Sequence, residues 1–164
     1  MSTLERAIVI AAEGHAGKLD KAGAPYILHP LRVMLRMSRE EERIVAVLHD
    51  VVEDCRAWSF DKLRAEGFTE EVIEALEAVT KRREEEDPEG RTEGYMRFIM
   101  RAAANPIGRA VKLADLEDNM DLSRIARPRE GDFWRIEKYR QAMSLIKRPF
   151  QPGPAAGDAD VQSG

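Results

Sequence analysis

Several things are scarce in this chain of 164 residues, and each scarcity removes a class of function. A single cysteine, Cys55, rules out an intrachain disulfide. With no histidine in a sequence context that would activate it, Cys55 is read as a small, half-buried packing residue. No stretch approaches the ~20 apolar residues that span a bilayer, and the amino terminus lacks the basic region and apolar run of a signal peptide. A cytoplasmic protein with no membrane partner is expected. The basic excess of a general nucleic-acid binder is missing too, since 26 Lys and Arg face 30 Asp and Glu for a net charge of −4. No internal repeat occurs, and no alternating β pattern of useful length.

What is present is helical periodicity. Leu4, Ala7, Ile8 and Ala11 share a face of a first helix running to His15, with Gly14 and Gly17 at its end. Pro30 suits the first position of a short apolar helix containing Leu31, Val33, Met34, Leu35 and Met37. Ser38 with Glu41 reads as a capping box opening a continuous helix from Arg39 to Asp54. Phe60 to Glu66 forms a short helix stopped by Gly67, and Thr69 caps the next one. A strongly charged stretch over 81–94 reads as a solvated loop, or else as a lid bringing Arg91 to a substrate. A helix from Tyr95 to Ala104 follows, then one started by Asn105 and Pro106. The last runs from Gly131 to about Ile146, with Trp134, Ile136, Tyr139, Met143 and Ile146 as core or interface. The expected architecture is all-α, a single helical bundle over 1–148 without significant β-sheet, followed by a disordered tail at 149–164 rich in Pro, Gly, Ala and Asp.

Histidine is also scarce, with three in all, and two lie in unusual company. His29 closes Ala24-Pro25-Tyr26-Ile27-Leu28-His29-Pro30. His49 opens His49-Asp50-Val51-Val52-Glu53-Asp54, where an imidazole and three carboxylates sit beside apolar residues at a helix end. Acids there oppose the helix dipole, and a divalent cation would compensate them. Downstream, Asp115 and Asn119 share a face at i, i+4 in Val111-Lys112-Leu113-Ala114-Asp115-Leu116-Glu117-Asp118-Asn119. Two His and two Asp make an N2O2 set suited to Mn, Fe or Zn with positions left for water and substrate. His15 is read as a hydrogen-bonded structural residue at the mouth of the loop, with a third site imidazole as the alternative.

In order and spacing, His29-Pro30, His49-Asp50 with Glu53-Asp54, and Lys112-Leu113-Ala114-Asp115 with Asn119 resemble the HD-domain phosphohydrolases. The resemblance is closest to the alarmone hydrolase branch related to the bifunctional RelA/SpoT enzymes, and it runs from about Leu4 to Ile146. It implies an HD-domain helical bundle with Mn2+, or another divalent transition metal, held by His29, His49, Asp50 and Asp115. It implies that Glu53 and Asp54 act on the attacking water, and that Lys21, Tyr26 and Asn119 touch the substrate. The implied reaction removes the 3′-pyrophosphate of guanosine tetra- or pentaphosphate. Three positions depart from the family pattern: Asp20 stands where its loop carries an arginine, placing negative charge near phosphate, and Leu116 and Asp118 replace a second arginine and a histidine.

The chemistry can also be argued from the residues. A divalent ion neutralises the phosphate charge that repels nucleophiles, and a neighbouring carboxylate takes a proton from the water. Glu53 and Asp54 are the acids adjacent to the His-Asp pair, and either can serve; Glu53 can equally orient His49 through its other ring nitrogen. Three readings stay open: the alarmone hydrolase, the same chemistry on another small phosphorylated nucleotide (a 2′- or 3′-phosphate, or NADPH), and a non-catalytic nucleotide-binding module. A di-iron oxygenase would need more histidines than the chain has. Oligomeric state is not encoded in any pattern recognised in the sequence.

Overall fold

Four of the helices begin where the sequence supplies a side-chain acceptor for an otherwise unpaired amide. Thr3 accepts from Arg6 N–H to start α1 (Leu4–Gly14), Ser59 from Lys62 to start α5 (Phe60–Ala65), and Thr69 from Val72 to start α6 (Glu70–Val79). Asn105 accepts from Gly108 N–H at 2.8 Å, and Pro106 follows as the first residue of α8 (Pro106–Met120). The remaining helices are α2 (Leu28–Leu35), α3 (Glu40–Leu48), α4 (Val51–Asp54), α7 (Glu93–Ala104) and α9 (Glu130–Lys147), with a 3-10 turn at Leu122–Arg124 between α8 and α9. The computed structural model describes residues 1–82, 85, 93–125 and 127–148. Among these no strand forms; Leu19 and Pro25 make one isolated antiparallel bridge. The fold is all-α, as the periodicity predicts.

α3 is the central post. Ile44, Val45, Ala46, Val47 and Leu48 are buried in succession, and the helix packs against α1, α2, α6 and α8. A helix apolar on every side is stable only where neighbours surround it. Each of its large side chains contributes roughly 1.5–3 kcal/mol by leaving water. A smaller cluster joins α7, α8 and α9 through Phe98, Ile99, Leu116, Ala142 and Ile146. Because α8 contributes to both clusters, its polar residues are held rigidly beside α2 and α3.

Four local expectations differ from what forms. Pro30 occupies the third position of α2, not the first, which its missing N–H permits equally. The start of α3 lies one residue later than expected: the Glu42 carboxylate, not Glu41, accepts from Arg39 N–H at 3.2 Å. Trp134 is 55% exposed, because α9 buries a stripe through Ala142 and Ile146 that leaves this position outside. The expected continuous helix to Asp54 is broken at His49 and Asp50, for a reason that belongs to the site. Arg91 of the charged stretch and the tail from 149 lie outside the described residues.

Candidate metal centre and its cleft

His49 ends α3 by using its own ring. Nδ1 lies 2.7 Å from the carbonyl oxygen of Ala46, so the imidazole N–H takes the acceptor that the next turn of helix would need. The chain turns through Asp50 and restarts as α4. The same bond fixes the tautomer: with the proton on Nδ1, Nε2 presents its lone pair elsewhere. Nε2 is buried and has no hydrogen-bond partner of its own. It faces Asp50 Oδ2 at 3.1 Å and Asp115 Oδ1 at 3.6 Å. This bond also displaces the expected role of Glu53 as the acceptor orienting His49.

His29, on α2, reaches the same point. Its Nε2 is 3.1 Å from Asp115 Oδ1 and 3.7 Å from Asp50 Oδ2. The ligand atoms of His29, His49 and Asp115 lie within 4.8 Å of one another, and all three residues are buried, so this group can hold a metal ion. Asp50 is half-buried beside them. The donor chemistry fits a divalent transition ion, with two imidazole nitrogens and two carboxylate oxygens converging from three different helical segments. Burial works against ionisation here, yet the opposite charges prevail. The Asp115 carboxyl is held well below its usual range by Lys112 and both histidines, and His49 is raised well above its own by Asp50 and Asp115.

A surrounding layer holds these groups. Lys112 donates to Asp115 Oδ2 at 2.7 Å and Asn119 to Asp115 Oδ1 at 2.6 Å, so Lys112 pairs with the cluster. Asp118 Oδ2 accepts from His29 Nδ1 at 2.7 Å, while Arg32 grips the same carboxylate through two N–H groups at 2.8 and 2.9 Å. Sequence reasoning marked Asp118 only as the place of a lost histidine and missed its bond to His29. The signal was available, since Asp118 lies three residues after Asp115 and Arg32 three after His29, so both fall on faces already assigned to the site. Tyr26 donates its hydroxyl to Asp50 Oδ2 at 2.6 Å, and burial next to that carboxylate raises the phenol pKa so that it stays protonated.

Beside the cluster opens a cleft of ≈ 280 Å³ whose walls include Lys21, Tyr26, His29, Asn119, Arg124 and Tyr139. All three residues expected to meet substrate, Lys21, Tyr26 and Asn119, line it. Asp20 is there as well, but its charge is not directed at the cleft alone. Oδ1 accepts from the amides of Ala22 and Ala24, both at 2.9 Å, bracing a loop that turns at Gly23 with φ +82°, and Oδ2 lies 3.7 Å from Arg124. Arg124, which the sequence did not single out, thus returns a guanidinium to the side where the loop arginine is replaced. Leu116 points into the small apolar cluster and takes no part in the cleft.

Glu53 and Asp54 lie on α4, exposed, directly after the His49-Asp50 break. Glu53 Oε2 accepts from Lys81 N–H at 3.1 Å. Although solvent reaches part of the side chain, partial desolvation pushes its carboxyl pKa up, the Lys81 amide opposes this, and Asp50 and Asp54 add to the rise. Asp54 faces Lys18, with Nζ 3.3 Å from Oδ2. His15 is buried behind Tyr26, with ring centroids 4.9 Å apart, and neither of its nitrogens has a partner among the described residues. The expected hydrogen bond does not form among the described residues; burial depresses the His15 pKa, with Asp50 and Asp54 opposing. Cys55 donates to the carbonyl of Gly14 at 2.6 Å, a packing role as expected.

The all-helical bundle and its His/His/Asp cluster define an HD-domain protein. Relatives place it more narrowly. A guanosine-3′,5′-bis(diphosphate) 3′-pyrophosphohydrolase of Aquifex aeolicus is 34% identical over 121 residues, 71% of this chain and 17% of its own length. A probable enzyme of the same name from Synechocystis is 36% identical over 154 residues, 90% of this chain and 19% of its own length. The chain thus spans under a fifth of each of these curated relatives. Among solved structures, a metazoan ortholog of SpoT that hydrolyses ppGpp shares the fold, with a TM-score of 0.71 at 21% identity, covering 90% of this chain and 86% of the other. No family model matches. The chain belongs to the HD-domain family, among relatives of the SpoT-type pyrophosphohydrolases. No helix among the described residues is long and apolar enough to cross a membrane.

Proposed function

We propose that this protein is a cytoplasmic Mn2+-dependent phosphohydrolase that removes the 3′-pyrophosphate of guanosine tetra- or pentaphosphate, yielding GDP or GTP and pyrophosphate. The observation that carries this reading is the convergence of His29, His49, Asp50 and Asp115 at one point, with His29 also in the wall of a cleft that holds Lys21, Arg124 and Asn119. The names of the sequence relatives support the substrate.

A divalent ion held by the four ligands would neutralise phosphate charge and make water a stronger nucleophile. The chain supplies the rest. Glu53, with its raised carboxyl pKa, is the acid best suited to accept the proton of an attacking water, and Asp54 beside it adds negative charge that keeps that proton bound. Tyr26 fixes Asp50, Asp118 fixes His29, Asn119 fixes Asp115 and the Ala46 carbonyl fixes His49, so the four residues that would hold the ion are already oriented toward one point. Lys21 and Arg124 face the nucleotide.

The test is product analysis of the purified protein with Mn2+, offered guanosine tetraphosphate beside other 2′- and 3′-phosphorylated nucleotides and NADPH. Release of GDP and pyrophosphate is expected from the first. Turnover of another panel member alone would reassign the substrate, and silence across the panel with metal bound would leave a binding module.

A further inference from the structure

Lys138 is held in an unusual manner for a lysine on a helix of an acidic protein. It is half-buried, and among the described residues no carboxylate lies within ion-pair reach of its ammonium. Its partners are aromatic: Nζ sits 4.6 Å from the ring centre of Tyr95, 5.4 Å from that of Trp134 and 5.8 Å from that of Tyr139. Three ring faces from α7 and α9 thus form a shelf beneath one cation. Tyr139 and Arg135, in the same turn of α9, line the cleft beside the metal centre. One ring of the shelf, Tyr139, is thus also part of the cleft wall, and Lys138 precedes it directly in the chain.

Among the described residues, the charges that act most strongly on Lys138 have its own sign. Burial lowers its pKa, and Lys81, Lys21, Arg135 and Lys112 lower it further. Lys112 and Arg135 are neutralised, by Asp115 at 2.7 Å and Asp132 at 2.7 Å. Lys21 has no ion-pair partner among the described residues, and the backbone amide of Lys81 donates to Glu53. The like-charged groups come from the loop before α2, the segment after α6, α8 and α9, which are far apart in sequence, and Lys21 and Arg135 line the cleft.

Holding a desolvated ammonium among cations disfavours the empty protein, and a polyanion in the cleft would reverse the sign of that interaction. We propose that Lys138 is a substrate-binding residue that contacts the phosphate chain of the nucleotide, presented by the Tyr95–Trp134–Tyr139 shelf. The aromatic mounting explains how the charge is kept ready: rings attract a cation without neutralising it, whereas a carboxylate would compete with phosphate. This rests on the phosphohydrolase reading of the cleft, and it adds a contact outside the loop and α8 residues through which that reading is argued.

The test uses the Mn2+-loaded full chain and the variants Lys138→Met, which keeps an apolar stem on the rings, and Lys138→Arg. Calorimetric binding of inorganic pyrophosphate is measured across a salt series, together with thermal unfolding and the KM and kcat for guanosine tetraphosphate. Expected for Lys138→Met is about tenfold weaker pyrophosphate binding, as for loss of one charge-assisted contact, with a shallower salt dependence and a metal-free Tm equal to or above that of the parent. Lys138→Arg should recover most of the affinity. Unchanged pyrophosphate affinity in a folded Lys138→Met protein overturns the proposal, as does weaker binding that simply tracks a fallen Tm. Lys138-dependent pyrophosphate binding without turnover of guanosine tetraphosphate would sustain this inference while removing the substrate reading.

Discussion

Asp118 and His29 stand 89 residues apart in sequence and 2.7 Å apart in space, and their contact determines which face of the imidazole meets the metal centre. With Nδ1 donating to Asp118, Nε2 is left to point at Asp115 and Asp50. Replacing Asp118 by Asn exchanges a charged acceptor for a neutral one that can also flip. Mn2+ affinity by calorimetry should fall about 10- to 100-fold with the helical content retained. An unchanged affinity would mean that His29 is oriented by packing alone.

Metal and fold should be linked. Because the ligands come from α2, the turn after α3, and α8, an ion bound there ties three segments together, and it binds only the folded chain. Mn2+ at a hundred times its dissociation constant should stabilise the parent by about 2.7 kcal/mol, with EDTA reversing the effect. Asp115→Ala should lose both this rise in Tm and the hydrolytic activity. If activity disappears while the Mn2+-induced rise in Tm persists, Asp115 is not a ligand.

The two acids of α4 should separate on substitution. Glu53→Gln should leave Mn2+ bound and slow turnover by about 10²-fold, the ordinary scale for removing a general base. Asp54, which faces Lys18, should matter less when changed to Asn. Single-turnover rates with metal content measured alongside decide the matter, and a larger loss in Asp54→Asn would exchange the two roles.

Away from the site, Arg101 and Glu85 form an ion pair of which only 19% and 8% of the side chains are exposed, at 2.6 Å, and Arg101 also donates to the carbonyls of Glu77, Ala78 and Thr80. Arg101→Gln should cost about 3 kcal/mol in urea unfolding at neutral pH, since it leaves Glu85 charged and without its cation. Burial alone would raise the Glu85 pKa, but the bonds from Arg101 and the Arg82 amide bring it below the ordinary glutamate value. A depressed folded-state pKa stabilises above the unfolded-state value and is lost as the pH falls through the folded one. The gap between parent and variant should therefore narrow in acid. A gap that stays constant from pH 7 into the acid range would show that Glu85 does not titrate with folding.

The helices were legible because their start signals are local: Thr69 and Asn105 act on amides three residues away, and sequence spacing reports that distance directly. His29, His49 and Asp115 were legible because residue type and order restrict so few alternatives. The break at His49 was not, since a side chain taking its own helix's carbonyl leaves no trace in periodicity. Nor was Arg124 beside Asp20, a pairing across more than a hundred residues that depends on where the turn after α8 lands. Lys138 reads from sequence as one more solvated charge. Only the packing of α7 against α9 places three rings beneath it.

The two imidazoles of the centre are anchored to different kinds of acceptor, a main-chain carbonyl for His49 and a carboxylate side chain for His29. A carbonyl is present whatever residue occupies position 46, so no single substitution there can delete the anchor of His49 by chemistry. The carboxylate at 118 can be lost, moved or exchanged in one step. Variation in the strength or selectivity of this centre therefore has an open route on the α2–α8 side and almost none on the side of α3, and divergence among close relatives should accumulate accordingly.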